Sequence, residues 1–153
     1  MRRLITICLL SLAWGGSFSA SAAIGRVIKV LPHFLDAQGH HSLTPSLFDR
    51  DAYQLKLRQH PELRSGIRFD VNWRVRSVKS APLNLKVELR GIAKGNLPRL
   101  KTLEQEVKGG VGSRWTGIKL GGDDYKDFGE VTAWRVTLWE GEQLIGEQKS
   151  FLW

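Results

Sequence analysis

The segment that most constrains the fold is Ser65–Val78, in which apolar and polar side chains alternate without a break. Its apolar side chains are Ile67, Phe69, Val71, Trp73 and Val75. A β-strand directs successive side chains to opposite faces, so the segment is predicted to bury one face and expose the other. A helical period of 3.6 residues would scatter these side chains around the axis, which excludes a helix. Trp73 is therefore predicted to lie in the core, and Arg74 in solvent.

A second alternating run, Leu83–Arg90, follows after a short link that ends in Pro82. The short connection predicts that the two strands pair as a hairpin with their apolar side chains on one shared face.

The remaining chain adds short strand-like segments separated by glycine-containing turns. These segments are 26–31, 100–108, 114–120, 130–139 and 143–153. About seven short strands at this spacing favour an all-β fold, an antiparallel immunoglobulin-like β-sandwich with Greek-key connections. We expect residues 23–153 to form this single domain, with the last strand running to Trp153.

One helix is predicted over residues 47–59. Ser46 and Asp49 have the spacing of a capping box, and Pro61 ends the helix at or before His60. Phe48, Ala52 and Leu55 fall on one helical face. We expect that narrow apolar stripe to lie against an edge or end of the sandwich and to cover exposed strand backbone.

Residues 1–22 are typical of a cleaved signal peptide. A basic start at Arg2 and Arg3 precedes an apolar run, and Ala20-Ser21-Ala22 is a processing site. The run is too short to span a bilayer of roughly 30 Å as a helix. We therefore expect an exported, periplasmic or secreted protein that begins at Ala23 or Ile24. Because Cys8 is the only cysteine, the mature chain has no disulfide.

The chain is strongly basic, with a net charge of +8 and a pI near 10.0. Such a charge favours acidic partners such as an anionic envelope polymer, although a soluble basic surface has the same composition. No feature of the sequence indicates specific nucleic-acid binding.

Metal and catalytic sites find little support in the sequence. The strongest metal candidates are His33, His40, His41, Asp36 and Asp49. They lack the ligand spacing of zinc sites, so solvated loop histidines are the expected interpretation. Asp123 and Asp124 are too few to hold calcium and predict a turn. No nucleophile motif is present, and we expect neither a cofactor nor an enzyme. A small metal-dependent hydrolase is the least favoured alternative.

Tryptophan positions indicate a first candidate binding surface. Trp134 and Trp139 are five residues apart in one predicted strand, so they point to opposite faces. If Trp134 is buried, an aromatic-basic patch is predicted on the other face. It comprises Trp139, Phe151, Trp153, Arg135 and Lys149. The alternative is that the helix or the N-terminal strand covers this patch.

The polar positions of the first two strands give a second candidate surface, a basic face. It comprises Arg68, Arg74, Arg76, Lys86 and Arg90. Asp70 and Glu88 interrupt it, so cross-strand ion pairs are the simpler explanation. Taken together, these features predict a non-enzymatic exported binding or assembly module that uses a sheet face or an edge strand to hold an unknown protein or an anionic envelope polymer. A carbohydrate-binding module with exposed tryptophans is the alternative.

Overall fold

A computed structural model describes residues 24–76 and 81–153, which form two antiparallel sheets packed face to face. The predicted signal peptide at residues 1–22 lies outside the described residues. The elements in order are β1 (Ile24–Leu35), α1 (Leu47–Gln59), β2 (Gly66–Arg76), β3 (Leu83–Ala93), β4 (Leu97–Val107), β5 (Ser113–Gly121), α2 (Asp123–Phe128), β6 (Glu130–Glu140) and β7 (Gln143–Lys149). A single 3₁₀ turn, Pro61–Leu63, connects α1 to β2.

One sheet has the strand order β1-β2-β5 and the other β4-β3-β6-β7. This arrangement confirms the predicted seven-strand, immunoglobulin-like β-sandwich. In the constant-type immunoglobulin domain the fourth strand belongs to the sheet of the first, second and fifth strands. Here β4 pairs with β3 instead, which gives sheets of three and four strands. The fold alone implies no function.

The predicted hairpin between β2 and β3 is wrong. β2 pairs with β1 and β5, whereas β3 pairs with β4 and β6. The two strands therefore face each other across the core, in different sheets. An alternating pattern determines which face of a strand is buried, but it does not determine which strand supplies the hydrogen bonds.

The core lies between the buried faces of β2 and β3, as the alternation predicted. Phe69 and Val71 are fully buried and Trp73 is 2% exposed, while Arg74 is exposed. The indole Nε1 of Trp73 donates a hydrogen bond to Thr116 Oγ1 at 2.9 Å, on the neighbouring strand β5. From the opposite sheet, Trp134 packs edge-on against Phe69 with 6.2 Å between ring centroids. The two sheets are thus joined through aromatic contacts.

The helix has the predicted bounds, and the Ser46 hydroxyl accepts a hydrogen bond from the Asp49 backbone N–H at 3.4 Å. Its predicted apolar face is wrong, because Phe48 is 82% exposed and Leu55 is 52% exposed. The buried helix residues are Gln54 and Leu57.

Gln54 explains this orientation of the helix. Its Oε1 accepts from the Phe34 N–H at 2.8 Å, and its Nε2 donates to the Phe34 carbonyl at 3.0 Å. Phe34 belongs to β1, which is an edge strand because no described strand pairs with its outer side in this sheet. An amide side chain thus takes the place of a neighbouring strand, and α1 shields the edge through polar contacts.

The last strand is shorter than predicted. β6 and β7 form the expected hairpin, but β7 ends at Lys149 and the chain then turns, with the Trp153 N–H bonded to the Ser150 carbonyl at 3.2 Å. Ile145 packs against the core, whereas Trp153 lies on the outer side of the sheet. Ile145 and Trp153 therefore lie on opposite sides of the sheet, because the regular alternation of strand side chains stops at the turn.

Candidate binding surfaces

The sandwich exposes two sheet surfaces to solvent. We call the outer surface of β1-β2-β5 the three-strand face and that of β4-β3-β6-β7 the four-strand face. The predicted basic face is wrong as a single surface, because β2 and β3 are in different sheets. Arg68, Arg74 and Arg76 lie on the three-strand face, and Lys86 and Arg90 lie on the four-strand face.

The four-strand face contains most of the predicted aromatic-basic patch, but the charge of Arg135 is compensated. Arg135 donates to both carboxylate oxygens of Glu88, at 2.7 and 2.9 Å, and this hydrogen bonding raises the pKa of the guanidinium. The Trp153 ring lies against two guanidinium groups, with its centroid 4.1 Å from Arg90 Cζ and 5.1 Å from Arg135 Cζ. The Arg135 guanidinium is therefore already bound by Glu88, and the Trp153 ring already lies against two arginines.

Trp139 is half-buried on the same face. Its Nε1 donates to Thr137 Oγ1 at 2.8 Å, and Lys86 Nζ is 5.6 Å from the ring centroid. Lys86 is itself paired with Glu104 at 3.0 Å. The helix does not cover this patch, since α1 packs against β1 of the other sheet.

The remaining two members of the predicted patch are exposed. Phe151, at 101% exposure, extends fully into solvent from the turn after β7, and Lys149 is opposite Arg135 in the β6–β7 register.

The three-strand face holds an exposed tryptophan that the sequence reasoning missed. Trp115 is 55% exposed and is opposite Asn72, whose other neighbour in the register is Lys29. The next row of the sheet is formed by Arg26, Arg74 and Ser113. Trp115 is three positions from Ile118, which is buried. Strand parity alone therefore places it on the outer surface.

Most of the positive charge on the three-strand face is not compensated by an acidic residue within the described residues. Among the described residues, Asp70 is the one acidic residue at the outward positions of these strands, and it is paired with Arg68 at 2.7 Å and His33 at 3.8 Å. At the outward positions of these three strands, the exposed cations without an ion pair among the described residues are Arg26, Lys29, Arg74, Arg76 and Lys119. The four-strand face, by contrast, pairs Lys86 and Arg135 with glutamates.

A groove of about 500 Å³ continues this basic surface at the end of β2. Arg74 and Arg76 line one side of the groove, and the loop Gly110–Gly112 lines the other. The Arg114 guanidinium lies directly against this loop, since a Cβ atom at Gly110 would lie 2.0 Å from its Nη2.

The histidine-rich loop contains no metal-binding cluster within residues 24–76 and 81–153. The His33 and His41 rings are in tilted contact, with 5.3 Å between their centroids, and burial lowers the pKa of His33 although Asp70 opposes that shift. Asp36 organises the loop by accepting hydrogen bonds from the Tyr53 hydroxyl at 2.6 Å and the His40 N–H at 2.8 Å.

Burial would raise the pKa of Asp36, but these donors hold it below its usual value. The hydrogen bond from the Tyr53 hydroxyl to Asp36 raises the pKa of Tyr53 to about 12. The loop residues thus support the fold. Asp123 and Asp124 begin α2, where Asp124 pairs with Lys101 at 2.9 Å.

Comparisons with protein-family models, with characterised proteins and with solved structures find no significant match to this chain. In the part of the chain that the structure describes, no helix is both long and apolar enough to cross a membrane.

Proposed function

We propose that this chain is an exported, non-enzymatic binding module that holds an acidic polysaccharide on the three-strand face. The observation that carries the proposal is the exposed ring of Trp115 among cations that have no ion pair within the described residues. The patch around Trp153 is the weaker candidate, because its arginines already contact a carboxylate and an aromatic ring.

The chemistry of the three-strand face fits a linear chain of uronate sugars. A tryptophan ring offers an apolar surface on which the C–H face of a sugar stacks, while its edge remains in water. Guanidinium groups bind carboxylates through paired hydrogen bonds. Lys29 and Trp115 are separated by two strand spacings, about 10 Å, so a polymer that crosses the strands contacts the aromatic ring and several cations together.

Export is expected from the predicted signal peptide, and it would bring the domain to the compartment where envelope polysaccharides occur. A positive surplus on one side of a small domain also favours fast, salt-dependent association with a polyanion.

The proposal is tested by titrating mature protein with oligogalacturonate and with its methyl ester, which removes the charge but keeps the sugar rings. We expect binding of the acid that weakens as salt increases, and weaker binding of the ester. Trp115→Ala should lower affinity at least about tenfold, which corresponds to ~1.4 kcal/mol. The double variant Arg74→Gln with Arg76→Gln should lower both the affinity and its salt dependence.

Matched controls come from the four-strand face. Phe151→Ala removes a fully exposed aromatic ring and Lys149→Gln removes an exposed cation, and both should bind like the wild type. Loss of binding in these controls, with Trp115→Ala unaffected, would move the site to the Trp153 patch and refute the proposal. Tighter binding of single-stranded DNA than of oligogalacturonate would make the partner a nucleic acid instead.

A further inference from the structure

A cavity of about 210 Å³ opens between the two sheets beside β1. Most of its lining is apolar and includes Phe34, Ile67, Val131 and Trp134. Arg58, near the end of α1, is the one charged residue among the described residues of the lining. The cavity shares no residue with the outward positions of the three-strand face, so a ligand here is independent of the proposed polysaccharide site.

The cavity results from the unequal lengths of the two strands that close this side of the sandwich. β1 has 12 residues and β7 has 7. Near the start of β1 the strands pack tightly, since a Cβ at Gly25 would lie 2.6 Å from Ile145 Cδ1 and one at Gly146 would lie 2.9 Å from Val27 N. β7 then ends at Lys149, while β1 continues to Leu35. The sandwich therefore lacks a closing strand at this end, within the described part of the chain.

The lining selects the chemistry of a ligand. The Trp134 ring in the wall favours another flat ring, whereas the Phe34 ring already contacts the Arg64 guanidinium, with 4.0 Å from Cζ to the ring centroid. An apolar cavity of roughly 150 Å³ is known to accept benzene, so this cavity has room for a six-membered ring with a short substituent. Arg58 is exposed and has no ion pair among the described residues. Its guanidinium is therefore free to receive a carboxylate.

We propose that this inter-sheet cavity is a binding site for a small aromatic carboxylate, with the ring against Trp134 and the carboxylate on Arg58. Small-molecule sites commonly combine such an apolar lining with one oriented polar group.

Titration of 3-phenylpropionate, followed by NMR at the Trp134 indole N–H, tests the proposal. The uncharged 3-phenyl-1-propanol serves as a second probe that keeps the ring and the chain. We expect the acid to bind about tenfold more tightly than the alcohol, because hydrogen bonds to charged groups are the stronger kind. Arg58→Gln should remove that preference without changing the affinity for the alcohol. Lys56→Gln, an exposed cation on the same helix that does not line the cavity, should leave the preference intact.

A second variant tests the location of the site. Val131→Phe places a ring in the cavity and should abolish binding of both probes, with thermal melting used to verify that it folds. If Val131→Phe does not fold, the relative affinities of Arg58→Gln for the acid and the alcohol alone test the site. The proposal is overturned by no response of Trp134 at millimolar probe, by equal affinities for acid and alcohol, by a preference that survives Arg58→Gln, or by a response centred on Trp115.

Discussion

Replacement of Trp73 by alanine is expected to cost about 4–5 kcal/mol of unfolding free energy. The side chain is 2% exposed, so its deletion loses the burial of nearly the whole indole and leaves a cavity in the core. Deleting a buried tryptophan or phenylalanine typically costs ~3–5 kcal/mol. Loss of the 2.9 Å hydrogen bond to Thr116 places this site at the upper end. A domain of this kind is stable by roughly 5–15 kcal/mol, so the variant loses a large share of its stability.

Two further variants separate the contributions. Trp73→Phe retains an aromatic ring but loses the indole N–H, and we expect a cost of about 1–2 kcal/mol. Arg74→Ala changes the adjacent, solvent-facing residue and should stay within about 0.5 kcal/mol.

The measurement is urea denaturation followed by circular dichroism, with thermal melting as a check. For Trp73→Ala the midpoint temperature should fall by about 10 °C or more. Equal losses for Trp73→Ala and Arg74→Ala would refute the reasoning, because they would show that burial does not differ between the two faces of β2.

Two other predictions concern the surface and the N-terminus. Trp139→Ala should cost about 1–2 kcal/mol, less than Trp73→Ala, because the half-buried ring covers Thr137 but keeps part of its surface in water. Urea midpoints test this, and a loss as large as that of Trp73→Ala would contradict it. Sequencing of the protein from its native host should find Ala23 or Ile24 at the N-terminus, and Met1 on most molecules would rule out export by a cleaved signal.

The local elements followed from sequence because their determinants are local. Alternation between Ile67 and Val75 predicted the buried face of β2, and the capping serine at position 46 predicted the start of α1. Strand pairing did not follow, because the hydrogen-bond partners of β2 are set by crossovers between distant segments. The predicted hairpin with β3 was the reasonable local choice, yet the two strands belong to different sheets.

The orientation of α1 illustrates a different limit. Phe48 and Leu55 marked the apolar side, but the helix is held by a polar residue that satisfies a strand edge. Hydrophobic periodicity considers only apolar residues, so it gives no weight to glutamine. An unpaired backbone group beside a buried surface nevertheless costs folding free energy. For the same reason, no pattern within residues 47–59 could reveal that Gln54 meets Phe34.

The two candidate surfaces have similar residue types. They differ mainly in how many of their cations are paired with acidic residues. Both faces carry arginines and an accessible or half-buried tryptophan, so counting residue types does not separate them. On the four-strand face, Glu88 and Glu104 are placed opposite cations, and the arginine-stacked ring of Trp153 is already occupied. On the three-strand face the acidic residue Asp70 serves Arg68 and His33, which leaves the cations near Trp115 without carboxylates within the described residues. A cation without a carboxylate partner loses no ion pair when an anionic ligand binds it, whereas a paired cation must first give up its carboxylate. For this reason we propose the three-strand face, and not the four-strand face, as the surface that binds an anionic polymer.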